Sequence, residues 1–319
     1  MAPMNPPVLR YRGRFAPSPT GPLHFGSLVA ALGSCLDARR QGGEWLLRIE
    51  DLDLPRCPRT YAVDMVRTLA AFGFTWDGEV AWQSRRTELY RAAFERLRGA
   101  GAIYPCACTR GELADSALAS DGAHLYPGTC RRGLPPGREA RAWRLRVGAA
   151  AIACADRIQG RIAQDLAGEV GDFVLLRADG FFAYQLAVVV DDAEQGITDV
   201  VRGADLLDST PRQILLQRLL GFPEPRYAHL PVAVTAAGEK LSKQTGARAL
   251  DPDAAVPALL GALRFLGQEP PADLAAAAPA EVWSWAFAHW DIGRVPARRT
   301  ALPVESALGR HRHGTHDAL

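Results

Sequence analysis

Apolar residues in the first half of the chain alternate between two spacings, one typical of strands and one typical of helices. Residues 9–16 have the pattern of a strand, and Leu28, Leu32 and Leu36 then recur at the spacing of one helix face. After two glycines, Glu44–Ile49 has the pattern of a second strand. A strand, a crossover helix and a second strand form a βαβ unit with parallel strands. The pattern therefore predicts a doubly wound α/β domain.

The same spacing arguments extend the prediction along the rest of the chain. Helices are predicted at 61–72, 86–97, 211–220 and from 253 to about 290, and buried strands at 173–176 and 186–190. From 106 to 148 the pattern breaks into short segments rich in Gly, Pro and Arg, which is typical of an insertion. The last dozen residues are polar, and we expect them to be disordered.

Composition places the chain among ordinary globular proteins. Its 319 residues are 48% hydrophobic and 23% charged, which is enough for a sizeable core. No apolar segment approaches the roughly 20 residues needed to cross a bilayer, and the first residues lack the apolar part of a secretory signal. We therefore expect a cytoplasmic protein without a membrane partner, and nothing in the sequence demands more than a monomer.

Charge gives little information about partners. The net charge of +2 is too small to indicate a nucleic-acid partner, so any contact with RNA must come from a local patch. Six arginines crowd the end of the predicted insertion: Arg131, Arg132, Arg138, Arg141, Arg144 and Arg146. Such a cluster could follow RNA phosphates or form a solvated charged face, and both interpretations stay open.

A proline-rich loop at 17–22 separates the first predicted strand from the first predicted helix. It is followed by His24, Gly26 and Ser27, at the start of that helix. Unpaired N–H groups and the positive end of the helix dipole favour phosphate at such a position. Parallel sheets also bind their ligands at the carboxyl ends of the strands. Taken alone, the loop is equally compatible with a capped helix start of no special function.

A second motif lies far downstream, where Lys240 and Lys243 stand in a loop after the apolar segment 231–234. Two lysines on a loop can stabilise the charge that develops as pyrophosphate leaves a nucleotide. A Lys-x-Ser-Lys string by itself is common on solvated surfaces. The two motifs in this order and on these elements are much more specific, and they predict a site for ATP.

The two motifs resemble the HIGH and KMSKS signatures of class I aminoacyl-tRNA synthetases. They stand here as His24-Phe-Gly-Ser and Lys240-Leu-Ser-Lys-Gln, which keep the His, the Gly and both lysines. Four further segments resemble the glutamyl branch of that family: Arg14-Phe-Ala-Pro-Ser-Pro-Thr-Gly, Leu47-Arg-Ile-Glu50-Asp-Leu-Asp, Gly180-Phe-Phe-Ala-Tyr184-Gln-Leu-Ala and Val201-Arg202-Gly-Ala-Asp-Leu. The resemblance covers about residues 10 to 250 and implies a Rossmann-type doubly wound parallel sheet.

The chain ends soon after the second motif. Full-length glutamyl-tRNA synthetases carry an anticodon-binding region, which we expect to be absent here. A catalytic core without that region resembles the glutamyl-queuosine tRNA(Asp) synthetases, a family that attaches glutamate to queuosine in the anticodon of tRNA(Asp). The resemblance implies L-glutamate, ATP with Mg²⁺ and queuosine-bearing tRNA(Asp) as substrates. A glutamyl-tRNA synthetase with a reduced C-terminal region and a non-catalytic paralogue that binds glutamate or tRNA are the alternatives.

The resemblance also implies roles for individual residues. His24, Lys240 and Lys243 would be catalytic, and His24, Gly26, Ser27 and Lys243 would bind ATP. Glutamate would be bound by eight residues: Arg14, Phe15, Ala16, Pro17, Ser18, Glu50, Tyr184 and Arg202. Guanidinium groups form bidentate pairs with carboxylates, so the two arginines suit the carboxylates and Glu50 suits the ammonium. Which arginine takes which carboxylate stays open.

The predicted insertion contains a candidate metal site. Cys106, Cys108 and Cys130 supply three soft ligands for a tetrahedral structural zinc. Spacing alone favours His124 as the fourth ligand, because imidazole binds zinc readily. The resemblance implies Tyr126 instead, which we prefer, with His124 as second choice. Three free thiols in a loop are the alternative without metal.

The expected organisation is an α/β fold with a zinc-containing insertion and a short helical C-terminal region. The predicted parts are residues 8–105 for the first half of the catalytic domain, 106–148 for the zinc-binding insertion, 149–250 for the second half with the KMSKS-like loop, 251–305 for the helical region and 306–319 for a disordered tail.

Overall fold

The computed structural model of the protein describes residues 10–303, apart from residues 115, 117, 119–121, 123, 150 and 242–247. The strands are β1 Arg12–Phe15, β2 Glu44–Ile49, β3 Ala81–Trp82, β4 Ile103–Cys106, β5 Ala142–Leu145, β6 Ala151–Asp156, β7 Gly160–Asp165, β8 Val174–Leu176, β9 Asp199–Gly203, β10 Arg226–Leu230, β11 Val232–Ala233 and β12 Thr300–Ala301. The helices are α1 Phe25–Arg40, α2 Arg59–Ala71, α3 Thr87–Gly99, α4 Leu166–Glu169, α5 Tyr184–Glu194, α6 Thr210–Leu220, α7 Ala255–Phe265 and α8 Pro279–His289.

The central feature is a parallel sheet built from both halves of the chain. β1 pairs with β2 and β2 with β3, while β9 pairs with β10, in every case parallel. Thr198 joins the two groups: its Oγ1 accepts from the Arg12 N–H at 2.9 Å, and its own N–H donates to the Arg12 carbonyl at 3.0 Å. The strand order is therefore β3-β2-β1-β9-β10, and it reverses between β1 and β9. An open parallel sheet binds ligands at such a reversal.

Helices cover both faces of the sheet, as the alternating pattern predicts. On one face, α1 lies between the strands and helices α7 and α8. On the other, α3, α5 and α6 pack together over a second apolar cluster. Gly33 allows the close approach of α1 to β10, because a Cβ at this position would lie 2.7 Å from Leu230 Cδ1. The predicted doubly wound α/β fold is confirmed.

A separate antiparallel sheet carries the predicted insertion. Its order is β4-β5-β8, and the cysteines of the candidate metal site lie at the end of β4 and in the loops between β4 and β5. β6 and β7 form an antiparallel hairpin, and β6 also lies beside β10 through Tyr227 and Asp156. The structure thus attaches this hairpin to the edge of the parallel sheet.

One element prediction is wrong. Residues 186–190 were expected to form a strand, but they belong to the helix α5. Leu186, Ala187, Val188, Val189 and Val190 are all almost fully buried. A helix that is covered on all sides has no polar face, so its apolar run cannot be distinguished from a buried strand by periodicity. Among the described residues, none of the helices combines the length and apolar character of a membrane span.

Candidate active site

A cavity of about 820 Å³ opens at the carboxyl ends of β1 and β9, at the reversal of strand order. Of the residues predicted to be catalytic or to bind glutamate or ATP, the cavity is lined by Arg14, Phe15, Ala16, Pro17, Ser18, His24, Gly26, Ser27, Glu50, Tyr184, Arg202 and Lys240. Lys243 lies outside the described residues. The cavity has two parts. The floor consists of Arg14, Glu50, Tyr184 and Arg202, and the rim consists of His24, Lys240 and Asp205.

On the floor, Arg14 is held by a carboxylate. It lies near the end of β1 and is 3% exposed. Its Nε and Nη2 donate to the two oxygens of Asp192 in α5, at 3.1 and 3.3 Å. Arg48 of β2 donates to the same carboxylate at 2.8 Å. Burial raises the pKa of Asp192, but the two guanidinium groups outweigh it and lower the pKa overall. The Arg14 charge is therefore largely neutralised within the protein.

Glu50 follows β2 and is 8% exposed. Arg48 Nη2 lies 3.4 Å from its Oε1, a long contact. Burial raises the pKa of Glu50 to about 7, although Arg48 and Arg14 lower it. The carboxylate of Glu50 is thus poorly compensated by its surroundings. A cationic group that entered the cavity would favour its ionised form.

Arg202 lies on β9 and is 5% exposed, yet its partners are neutral. Its Nε donates to His229 Nε2 at 3.0 Å, and its Nη2 donates to Thr210 Oγ1 at 2.8 Å. Nη1 lies 3.4 Å from the Tyr184 hydroxyl at the start of α5. Tyr184 is largely buried, and burial raises its pKa, so the hydroxyl stays protonated. Arg202 and Tyr184 together present a cation and a hydroxyl to the cavity.

At the rim, His24 is the N-cap of α1. Its Nδ1 accepts from the Gly26 N–H at 3.1 Å, and its own N–H donates to Ser27 Oγ at 3.5 Å. Burial and the nearby Lys240 lower the pKa of His24, so the imidazole is neutral at pH 7. Because Nδ1 accepts, the proton is on Nε2. A Cβ on Gly26 would lie 3.1 Å from His24 Cε1, which explains a glycine here.

Lys240 also lies at the rim. Its Nζ is 2.5 Å from Asp205 Oδ2, and its side chain is about half exposed (51%). Lys240 forms an antiparallel bridge with Val234, and beyond the undescribed residues Ala249 forms another with His24. The described residues on both sides of the KMSKS-like segment therefore lie at the cavity.

The three cysteines of the predicted metal site come together at the end of β4 and in the loops that follow it. Their sulfurs lie within 4.8 Å of one another, and those of Cys108 and Cys130 are 3.7 Å apart. The Tyr126 hydroxyl lies 3.4 Å from Cys106 Sγ and 3.6 Å from Cys108 Sγ. A tetrahedron with Zn–S of about 2.3 Å and Zn–O of about 2.0 Å spaces two sulfurs by about 3.8 Å and a sulfur and an oxygen by about 3.5 Å. These four side chains fit a zinc ion.

His124, the second choice for the fourth ligand, lies elsewhere. It is exposed, and its Nδ1 is 3.4 Å from the Ser116 carbonyl. It is not part of the cysteine cluster among the described residues.

Several arginines of the predicted cluster hold the insertion together. Arg144 is 8% exposed, donates to Cys106 Sγ at 3.3 Å and lies 3.9 Å above the Tyr126 ring. Arg131 pairs with Asp172, Arg138 pairs with Glu112, and Arg146 donates to the Arg131 carbonyl. These contacts give four of the six arginines a structural role, which weakens the interpretation of the cluster as an RNA surface.

Five ionisable side chains around the cavity have no role in the sequence prediction. They are Arg48, Asp156, Asp192, Asp205 and His229. Arg48 and Asp205 lie inside segments that carry the family resemblance, so the sequence already indicated that these segments contribute to the site. Asp192 follows an apolar run, and Asp156 and His229 stand on separate strands. No local pattern distinguishes these three residues, because each obtains its partner only through tertiary contacts.

Comparison with known proteins agrees with this geometry. Residues 10–256 match the family of tRNA synthetases class I (E and Q), catalytic domain. The chain is 65% identical to the glutamyl-Q tRNA(Asp) synthetase of Dechloromonas aromatica, over 94% of this chain and 99% of that protein. It is 64% identical to the enzyme of the same name from Aromatoleum aromaticum, over 91% and 92%. A crystal structure of the glutamate-tRNA synthetase of Elizabethkingia anophelis superposes with a TM-score of 0.75 at 26% identity, over 93% of this chain and 69% of that one. The chain therefore belongs to the class I tRNA synthetases of the glutamate and glutamine type and, among them, to the glutamyl-Q tRNA(Asp) synthetase family.

Proposed function

We propose that this protein activates L-glutamate with ATP and transfers it to queuosine in the anticodon of tRNA(Asp). The observation that carries the proposal is the cavity itself, where two arginines, an acidic residue and the HIGH-like histidine meet at the strand reversal. The names of its close relatives support the same acceptor.

The first step joins glutamate to the nucleotide. A glutamate α-carboxylate oxygen attacks the α-phosphorus of ATP, and the bond to the pyrophosphate oxygen breaks, which gives glutamyl-adenylate and pyrophosphate. The nucleophile is ionised at neutral pH, so no strong base is needed. In the second step a hydroxyl of queuosine attacks the adenylate carbonyl, AMP leaves, and the hydroxyl proton is lost. Catalysis of the first step therefore rests on positioning and charge stabilisation.

The floor is suited to the amino acid. Arg202 has no carboxylate partner among the described residues, so its charge is available to a carboxylate of glutamate, together with the Tyr184 hydroxyl. The poorly compensated Glu50 carboxylate is suited to the ammonium group. Arg14 would add positive potential, although Asp192 occupies two of its donors. Phe15, Ala16, Pro17 and Ser18 would line the same pocket.

The rim is suited to the triphosphate. Neutral His24 offers an Nε2–H donor at the N-terminus of α1, where Gly26 and Ser27 add backbone N–H groups. Lys240 would turn from Asp205 to the phosphates, and Lys243 is proposed to join it from the KMSKS-like segment. Mg²⁺ bound to ATP would supply further neutralisation of the phosphate charge. We also propose that the enzyme acts in the cytoplasm, where tRNA is found, as a monomer.

A structural zinc ion is proposed in the insertion, held by Cys106, Cys108, Tyr126 and Cys130. The sulfur–sulfur and sulfur–oxygen distances support this ligand set. Zinc would fix the loops after β4, and Arg144 would offset the negative charge of the thiolates.

Removal of zinc should destabilise the insertion without acting on the cavity. We expect one zinc per chain in the purified protein and none in Cys130→Ser, measured by metal analysis. The melting temperature of that variant should fall by several degrees. His124→Ala is the matched control and should keep its zinc. Loss of zinc in His124→Ala would exclude the proposed ligand set.

Acylation with labelled glutamate tests the acceptor. The purified protein is incubated with ATP and Mg²⁺ and with one of three RNAs: queuosine-containing tRNA(Asp), the same tRNA without queuosine, or tRNA(Glu). Label on the queuosine-containing tRNA alone supports the proposal. Label on tRNA(Glu) would identify a glutamyl-tRNA synthetase, and absence of both label and pyrophosphate exchange would identify a non-catalytic binder.

A further inference from the structure

Arg202 differs from Arg14 and Arg48, two other buried arginines, because its immediate partners carry no charge. Arg14 and Arg48 each contact aspartate carboxylates, whereas Arg202 contacts an imidazole, two hydroxyls and the Leu206 carbonyl. An unpaired buried cation is costly unless its donors are satisfied. The protein therefore satisfies the donors of Arg202 without neutralising its charge.

The contact with His229 fixes the protonation of the imidazole. Arg202 and His229 are direct neighbours on β9 and β10, and an arginine can only donate. His229 Nε2 must therefore accept, which leaves the ring proton on Nδ1. Burial lowers the pKa of His229 to about 4, so the ring stays neutral at pH 7. Thr210 Oγ1 lies 3.2 Å from the same Nε2 and completes the contact.

Asp156 holds the other side of this imidazole. Its Oδ2 lies 2.6 Å from His229 Nδ1, and both side chains are fully buried. Its Oδ1 accepts from the backbone N–H groups of Ile158, Gln159 and His229, at 3.0, 2.8 and 3.2 Å. These donors fix the carboxylate as an acceptor, so it can only receive the Nδ1 proton. Asp156, His229 and Arg202 thus form a directed chain of hydrogen bonds.

We propose that Asp156 and His229 are positioning residues that orient Arg202 for glutamate without touching the substrate. This inference rests on the proposed function, in which Arg202 binds a glutamate carboxylate. Neither Asp156 nor His229 lines the cavity, whereas Arg202 does. A neutral imidazole held by a remote carboxylate orients the guanidinium and leaves its positive charge for the substrate.

The tautomer gives a specific consequence. In Asp156→Asn the amide nitrogen can donate to Nδ1, which moves the ring proton to Nε2, where it faces the Arg202 N–H. Two donors then oppose each other, and the guanidinium must turn away. His229→Asn keeps a donor near Asp156 but removes the acceptor for Arg202. His229→Gln keeps an acceptor near Arg202 and is the conservative variant.

The test measures the dissociation constants of L-glutamate and ATP by calorimetry on the full chain, with pyrophosphate exchange alongside. We expect the glutamate constant to rise about 10- to 100-fold in Asp156→Asn and His229→Asn, the loss typical of a buried hydrogen bond to a charged group. ATP affinity should stay within about twofold, and His229→Gln should recover part of the loss. In a protein that already carries Arg202→Lys, Asp156→Asn should cause no further loss of glutamate affinity.

Three results would overturn the inference. These are an unchanged glutamate affinity in Asp156→Asn, a parallel loss of ATP affinity, and full additivity of Asp156→Asn with Arg202→Lys, because each indicates a purely structural role. Circular dichroism identifies any variant that does not fold. If His229→Asn does not fold, the glutamate affinities of His229→Gln and Asp156→Asn supply the test. A wild-type protein that binds glutamate without pyrophosphate exchange would contradict the proposed function alone.

Discussion

The floor and the rim of the cavity differ in how far their charged groups are buried and in how firmly these groups are held. Arg14, Glu50 and Arg202 are at most 8% exposed and are fixed by other buried groups. The Lys240–Asp205 pair at the rim is partly exposed, so water and salt weaken it. We therefore expect the floor to select the amino acid through side chains that other buried groups already hold in position. The rim holds its lysine in a weak pair, which a triphosphate can replace. Loss of a floor contact should accordingly lower the activity in pyrophosphate exchange more than loss of a rim contact.

The largest effect is expected for Glu50→Gln. The amide keeps the shape but cannot neutralise the ammonium of glutamate, so kcat/KM for glutamate in pyrophosphate exchange should fall about 1000-fold, or about 4 kcal/mol. The KM for ATP should hardly change. Glu44→Gln, which removes a carboxylate that pairs with Arg10 and Arg12 at the other end of β2, is the control. Equal losses in the two variants would contradict the role of the floor.

At the rim, Lys240→Met should lower kcat of pyrophosphate exchange about 100-fold, because a donor to the developing phosphate charge is lost. Glutamate affinity measured by calorimetry should stay at the wild-type value. Lys240→Arg keeps the charge and should retain more activity than Lys240→Met. A weaker glutamate affinity in Lys240→Met would mean that floor and rim are not independent.

Glutamate affinity should depend on pH through Glu50. Its pKa in the free protein is raised to about 7, and only the ionised form binds ammonium. Binding should therefore be full above pH 8 and weaken as pH falls, by about tenfold between pH 8 and pH 6. Calorimetry at constant ionic strength measures this, with Glu50→Gln as the control that lacks the dependence. A flat profile in the wild type would rule out this titration.

The smallest effect is expected for Asp205→Asn, which releases Lys240 from its ion pair. Because partly exposed pairs contribute about 0–1 kcal/mol, the KM for ATP should fall no more than about fivefold. High salt should reduce the difference between variant and wild type. Asp205→Asn should not change the KM for ATP in a protein that also carries Lys240→Met. A loss of activity larger than that of Lys240→Met would give Asp205 a role of its own.

The sequence predicted the parts of this molecule that are encoded locally. Strand β2 and helix α1 follow from spacing, since large apolar side chains recur at every second residue of β2 (Trp45, Leu47, Ile49) and at every fourth residue of α1 (Leu28, Leu32, Leu36). Helix α5 did not, because it is apolar on all sides around residues 186–190. The cavity residues were predicted through family motifs, in which neighbours along the chain are also neighbours in the site. Their roles as ligand contacts stay predictions.

The supporting charges could not be predicted in the same way. Asp192 meets Arg14 across 178 residues, and Asp156 meets His229 across 73. Strand order brings Asp156 to His229, and the position of α5 on the sheet brings Asp192 to Arg14. One sequence contains no signal of either arrangement. Parallel strand order depends on packing of the whole domain, so the identity of a distant partner becomes visible only in the folded structure.

The junction between Arg12 and Thr198 also has a consequence for how the protein forms. β1 comes from the beginning of the chain and β9 from beyond its midpoint, so the cavity between them requires a contact of very long sequence separation. Such contacts close late, because a long loop must lose its entropy first. We therefore expect the helices, which form through local contacts, to appear before the cavity is complete. Recovery of glutamate binding during refolding would report the completed domain, whereas helical signal would return earlier.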